Sequence, residues 1–575
     1  MSKKYLNIIL ILIFVALASR FINISSFLSE TDDQLPIAQL LKYDELNLYD
    51  LANDQSSATY ESKSKKFLRN LENKENRLIN FFQNTFSSVI FNMAPSKHST
   101  FAPLQYFIFG WTIDKKLNYN QLKFYGRIPS VFFSFLTIFI TFKICQRFIF
   151  KNDFSYLATF LIIFSFPLIY ISQRSYNYSA AVFAITFLLY LFLNECDDNS
   201  KKTFLDERKF NFKLNFYFSI LISLSSYLSY ITLVILPSFF IFKFIINFIG
   251  YKKFFCLKNI NLIFTGFLLS VLVTPLLIHM LSINLGDYGM TASTAGANWE
   301  YSIKTVDQNI LSYIAFFSKN FYLIISKNIS FFLDNNFYST ILQIALFVIF
   351  VFGLLFSFRS TNKNHSRFLL LFILILVNWV ILVMLNITAF GPTRHLLIFA
   401  PITSIFFVIG FERLLDKLTL IKYVNKILYS TIILFTIIFT LNFISFSKLY
   451  KDSFDEDSLV DIIKRENVSL IINGSSHADV LCLMSSIKVK IASCPIRYSR
   501  YSNIYEFNDF DLKTIKENSQ SIMIINYNLT SYLIEKLNEH SFNKSIEFKN
   551  HRYTGGSPLA ISKYVPNYIE YYIYK

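Results

Sequence analysis

Long apolar runs recur through the first 446 residues, and each is of a length that only a bilayer or a large core can bury. The first, Tyr5 to Ile24, is long enough to cross a membrane, which takes roughly 20 such residues. Ten more follow, at about 128–148, 155–172, 178–194, 214–230, 231–248, 259–281, 338–358, 367–387, 395–413 and 426–446. A chain that is 53% hydrophobic and 16% charged, with mean hydropathy +0.41, lies outside the range of soluble globular domains. The runs therefore read as transmembrane helices. The fifth and sixth are short and read either as two spans or as one broken pair.

Charge placement orders these helices. Lys3 and Lys4 precede the first run, and Arg147, Lys151, Lys201, Lys202, Arg208, Lys252, Lys258, Arg359, Lys363, Arg413 and Lys417 fall in loops that this order puts in the cytoplasm. The short outer turns near 173–177 and 388–394 carry only Arg174 and Arg394. Eleven spans leave the N-terminus inside and the C-terminus outside, in a plasma (inner) membrane. The net charge of +17 then follows from the positive-inside rule and implies no nucleic-acid partner. Lys3-Lys4 and Ala16-Leu17-Ala18 also fit a signal peptide, but the run continues past Arg20, which favours an uncleaved anchor. The 67 Phe and 35 Tyr accompany many Ile, Asn and Lys, as in an AT-rich coding sequence, so aromatic abundance is no sign of sugar stacking.

Two outer loops, about 25–127 and 282–337, are too long to be mere connectors. In the first, Phe81–Met93 and Phe101–Ile113 are apolar pieces of helix-on-membrane length. In the second, Asn284 to Gly289 and the small residues of 291–298 read as a mobile flap or as ordinary disorder. From 447 to 575 the pattern changes to alternating short strands (468–472, 489–492, 522–526) and helices (455–465, 476–487, 512–518, 529–540). The fold class is thus an α-helical polytopic membrane domain, 1–446, with a small extracytoplasmic α/β domain, 447–575. Cys482 and Cys494 are the two cysteines of that outer domain, where a disulfide between them is permitted.

The motif richest in chemistry is Glu30-Thr31-Asp32-Asp33, just beyond the first span. A carboxylate there can deprotonate an acceptor hydroxyl beside a lipid-borne substrate. Five further segments stand in order: Lys97-His98-Ser99-Thr100-Phe101-Ala102-Pro103-Leu104-Gln105-Tyr106, Arg127-Ile128-Pro129-Ser130, Ser172-Gln173-Arg174-Ser175-Tyr176-Asn177-Tyr178, Ser225–Tyr230, and Arg394-His395-Leu396-Leu397. Together with the acidic pair they resemble the C-type superfamily of membrane glycosyltransferases, and are similar to protein O-mannosyltransferases and lipid A aminoarabinose transferases. The resemblance covers about residues 5–415. It departs from the family where Asp33 replaces a Glu, where Phe101-Ala102-Pro103 replaces a double proline, and where an arginine stands at Arg174 rather than two residues on.

The resemblance implies transfer of a sugar from a polyprenyl-phosphate donor, with inversion, to a lipid, glycan or protein acceptor on the outer face. Asp32 is the expected general base and Asp33 the second choice; such help is typically worth 10²–10⁴-fold. Lys97, Arg174 and Arg394, cations on a face otherwise poor in them, are the expected donor-phosphate ligands, although an arginine at a span end also serves as an interfacial anchor. Arg127 reads as an anchor of the second span. His98, Gln105, Tyr106, Gln173, Tyr178, Asp287 and Tyr288 are candidate substrate contacts. No His, Cys or carboxylate set has metal-ligand spacing, so no cofactor is implied and a divalent metal has no ligand set to support it. Rival classes are a surface-polysaccharide polymerase or ligase, which would rest mainly on arginines, and a transporter, which would show internal repeats.

Overall fold

The computed structural model describes, with short gaps, residues 14–24, 117–196, 210–284, 303–328, 337–449 and 461–473, together with 45–47, 104–105, 205, 538–541 and the strands 490–493, 522–527, 543–553 and 564–574. Residues 14–21 are helical. The membrane part continues with α1 (Tyr119–Ile144, closed by a π turn, Cys145–Ile149), α2 (Phe154–Ile163), α3 (Phe166–Ser172), α4 (Tyr178–Cys196), α5 (Phe212–Leu228), α6 (Tyr230–Tyr251) and α7 (Leu257–Asn284). Then come α8 (Ile310–Asn328), α9 (Phe337–Arg359), α10 (Lys363–Met384), a 3-10 turn (Arg394–Phe399) running into α11 (Ala400–Lys417), and α12 (Val424–Leu449). Among the described residues, eight helices are long and apolar enough to cross a membrane.

Two of the expected spans are bent in ways the sequence explains. α2 and α3 meet at 55° across Phe164-Ser165. Pro167 occupies the first turn of α3, where its missing N–H costs nothing, but that N–H would have bonded the Ile163 carbonyl of α2. α5 and α6 are separated by one extended residue, Ser229, whose hydroxyl accepts from the Ile231 N–H at 3.4 Å.

α4 and the Arg394–Lys417 unit form the centre of the bundle and are buried on nearly all sides, whereas α6, α7, α9, α10 and α12 keep most of their surface outward. Side chains such as Phe267, Leu355 and Ile433 on those outer helices are exposed, as a lipid-facing surface requires. Contact between helices relies on small and amide residues. A Cβ on Gly353 of α9 would stand 1.9 Å from the Phe406 carbonyl oxygen, and one on Gly410 of α11 would stand 2.0 Å from that of Ile349, so the two backbones touch at a glycine pair. Asn215 donates to Asn261 and Asn247 to Asn259, each at 2.9 Å, tying α5 and α6 to α7.

A helix of 19 residues, α8, lies inside the 282–337 loop read from sequence as a flap or disorder. Its polar and apolar residues are too mixed for a span, yet Asn320, Ile324, Ile325, Ser326 and Asn328 are buried against the bundle.

The remaining strands form one six-stranded sheet in the order β1-β3-β2-β4-β6-β5. β2 (Leu470–Asn473), β3 (Lys490–Ser493) and β4 (Ile522–Tyr527) sit where alternation predicts them and pair in parallel. The antiparallel pair β5 (Asn543–Tyr553) and β6 (Tyr564–Tyr574) escapes the sequence reading because β5 is rich in charge and β6 contains a proline. Pro566 pairs with His551 beyond the stretch that β4 covers, so its missing N–H falls where β6 has a single neighbour. The edge strand β1 (Glu45–Asn47) comes from the first outer loop and runs parallel to β3.

Candidate active site

The turn between α3 and α4, Gln173 to Asn177, is where the motif segments meet. α3 ends at Ser172 and α4 begins at Tyr178, and the Gln173 N–H and the Asn177 carbonyl close the two helix ends, so that side chains of the turn reach other segments. Gln173 is buried, and its amide nitrogen donates to the carbonyls of Ile22 (2.8 Å), Ser19 and Arg20 (both 3.4 Å), capping the end of the N-terminal helix. The Ser175 carbonyl accepts from Gln105 at 3.4 Å. Asn177 donates to the Leu228 carbonyl at 3.4 Å, which fastens the turn to the α5–α6 corner.

The exit of the first helix is held from several sides. Arg20, fully buried, donates to the Ser134 hydroxyl (2.8 Å), to its own helix at Ala16 (3.1 Å), and to the carbonyls of Ile163 (3.2 Å) and Ile162 (3.3 Å). It thus supplies the donor that Pro167 withholds from α2. Arg20 of the first helix caps α2, and Gln173 at the end of α3 caps the first helix. Arg127, also fully buried, donates to the Ile24 carbonyl at 2.6 Å, so it holds the end of the first helix from inside the bundle. One turn before it on α1, Lys123 is buried too, a second cation that sequence reasoning passed over.

Across the turn, the Arg394 guanidinium stands 4.8 Å from the ring centroid of Tyr178, and His395 packs edge-on against the same ring at 5.5 Å. The Arg174 guanidinium is buried 4.3 Å over the Tyr170 ring and donates to its hydroxyl. α8 braces the Arg394 turn: Asn328 donates to the Leu396 carbonyl at 3.3 Å and accepts from Ser165 at 2.9 Å, and Phe317 packs on Phe390. Lys327 precedes Asn328, and burial pushes its ammonium below the ordinary lysine value. Both α8 residues were invisible to motif reading because the helix itself was not expected.

Among the expected site residues, Gln105, Gln173, Arg174, Tyr178 and Arg394 are described, and all five lie on or against the α3–α4 turn. Asp32, Asp33, Lys97, His98, Tyr106, Asp287, Tyr288, Cys482 and Cys494 lie outside the described residues, as do most of the two apolar pieces of the first loop and the helices expected between the outer strands. No three His, Cys, Asp or Glu side chains among the described residues are grouped to hold a metal.

No family model matches the sequence, and no curated protein sequence does. Solved structures do match. ArnT from Cupriavidus metallidurans, crystallised bound to undecaprenyl phosphate, is similar at a TM-score of 0.54 and 8% identity, over 98% of each chain. The Archaeoglobus fulgidus oligosaccharyltransferase, solved with zinc and sulfate, gives a TM-score of 0.47 at 13% identity over 90% of this chain and 67% of its own. The first likeness spans the helices and the sheet alike. In fold, the chain is a polytopic helical membrane protein similar to ArnT.

Proposed function

We propose that this chain is an integral-membrane glycosyltransferase that moves a sugar from a polyprenyl-phosphate donor to a lipid, glycan or protein acceptor on the outer face of the plasma membrane. The observation that carries the reading is the convergence of separate motif segments on one turn, with Gln105, Gln173, Asn177 and Arg394 all engaged there. In this reading residues 1–446 form the transferase domain and 447–575 an extracytoplasmic domain. The N-terminus is cytoplasmic and the C-terminus outside.

The chemistry assigns roles. Asp32, with Asp33 beside it, takes the proton of the acceptor hydroxyl as its oxygen attacks the anomeric carbon. The bond from that carbon to the phosphate oxygen breaks on the opposite side, which inverts the centre. The phosphate leaves with added negative charge, and Arg394, Arg174 and Lys97 hold it. The carboxylates follow Ile24, which Arg127 holds, by eight and nine residues in the sequence. His98, Tyr106, Tyr178, Asp287 and Tyr288 are assigned to substrate contact.

Membranes containing the protein, given a radiolabelled polyprenyl-phosphate sugar, test the reading. Transfer of label to an envelope acceptor is the expected result. Extension of preassembled glycan units, without use of a monosaccharide phosphate donor, would instead identify a polymerase or ligase.

A further inference from the structure

Gln105 and Gln173 share an unusual arrangement. Both side chains are buried, at 0% and 1% exposure. Each spends its amide nitrogen on backbone carbonyls: Gln105 on Ser175, Gln173 on Ser19, Arg20 and Ile22. Carbonyls only accept, so the amide orientation is forced and the side-chain oxygens are turned away from these contacts. Neither Oε1 has a hydrogen-bond partner among the described residues.

A buried amide oxygen without a donor is destabilising, and two of them bracket the same short turn. They need O–H or N–H groups that the described residues do not supply. Five residues beyond Gln173, within roughly 17 Å of extended backbone, stands Tyr178 with Arg394 over its ring. A sugar whose phosphate is held at Arg394 would bring hydroxyl groups into this neighbourhood.

We infer that the Gln105 and Gln173 side-chain oxygens form a subsite that reads hydroxyl groups on the sugar of the donor. The inference rests on the glycosyltransferase reading. Each oxygen accepts one sugar O–H, while the paired nitrogen keeps the subsite rigid by its backbone contacts. Both residues would then set sugar specificity and take no part in the proton transfer.

The test uses the full-length protein in membranes and synthetic polyprenyl-phosphate hexoses and pentoses in which each hydroxyl is replaced in turn by hydrogen or fluorine. With the wild type, at least one position should lose about tenfold or more in kcat/KM, and equally for both replacements, because neither can donate to a carbonyl oxygen. Gln105→Met or Gln173→Met should erase that discrimination to within about twofold, the non-additivity expected of directly interacting groups. If a Met variant does not accumulate in the membrane, the wild-type comparison decides alone. An active wild type that accepts every deoxy and fluoro donor equally, or Met variants that discriminate as the wild type does, would overturn the subsite and leave the transferase reading intact. A wild type that uses none of the parent donors overturns both.

Discussion

The guanidinium of Arg394 lies 4.8 Å from the centroid of the Tyr178 ring, at the first residue of α4. The ring fixes a planar cation at the start of a 3-10 turn that has no room to swing, since Thr393 is buried behind it. Arginine can fork two hydrogen bonds onto a phosphate and stack on an aromatic face, whereas lysine presents a point charge. Arg394→Lys should therefore raise the donor half-saturation concentration severalfold and Arg394→Ala more. Tyr178→Phe, which keeps a ring face, should stay within about twofold, and Tyr178→Leu should lose roughly two- to fivefold, the range of an exposed to partly buried cation–π contact. Donor saturation kinetics decide. An unchanged Lys variant would return Arg394 to the role of anchor.

Asp32→Asn should lower turnover by about 10²–10⁴-fold while the protein remains in the membrane, because it removes the proton acceptor at nearly constant size. Asp33→Asn should lose less. Single-turnover transfer under saturating donor measures both, and a fully active Asp32 variant would move the base to Asp33 or to Asp44 and Glu45.

The glycine contact between α9 and α11 makes a stability prediction independent of chemistry. Gly353→Ala or Gly410→Ala must push the helices apart, since the added carbon would stand 1.9 or 2.0 Å from a backbone oxygen. Overpacking of this kind costs about 1–3 kcal/mol or more. Each variant should unfold at lower temperature in detergent, and the double variant should cost less than the sum of the two, because one separation relieves both clashes.

Arg20→Met should also destabilise, since it strips donors from the Ile162 and Ile163 carbonyls at the α2–α3 bend. About 1–3 kcal/mol per orphaned buried group is the expected scale. Arg20→Lys should recover part of it, having one cation but no fork. Thermal unfolding in detergent, ranked Arg, Lys, Met, checks the assignment.

A reporter active only outside the cytoplasm, fused after Lys575, should be active. The expectation comes from the basic loops, and the opposite result would invert the whole topology.

Much of this architecture is legible in the sequence because a bilayer imposes length and charge rules that survive without long-range information. The helices from Tyr119 to Leu449 other than α8 stand close to their expected places, and so do β2, β3 and β4. The convergence at Gln173–Tyr178 was foreshadowed only as an ordered set of short motifs, since nothing in Gln105 announces Ser175 as its partner. α8 was missed because its mixed face matches neither a span nor a soluble helix, and only tertiary burial of residues such as Asn328 defines it. Arg127 reads in sequence as an anchor and Lys123 stands in no motif, yet both are buried. Depth in a bundle depends on neighbours far along the chain.

Strands cannot pair through a bilayer. Because Glu45–Asn47 lies in register with Ile491–Ser493, both stand on one side of the membrane, and the chain between them must cross an even number of times. Among the described residues between those strands, eight helices are long and apolar enough to cross, and the bent α2–α3 pair, taken as one span, is a ninth. The 17-residue α5, short for a span, is the tenth that a closed count demands. The edge strand thus favours reading α5 and α6 as two crossings joined at Ser229.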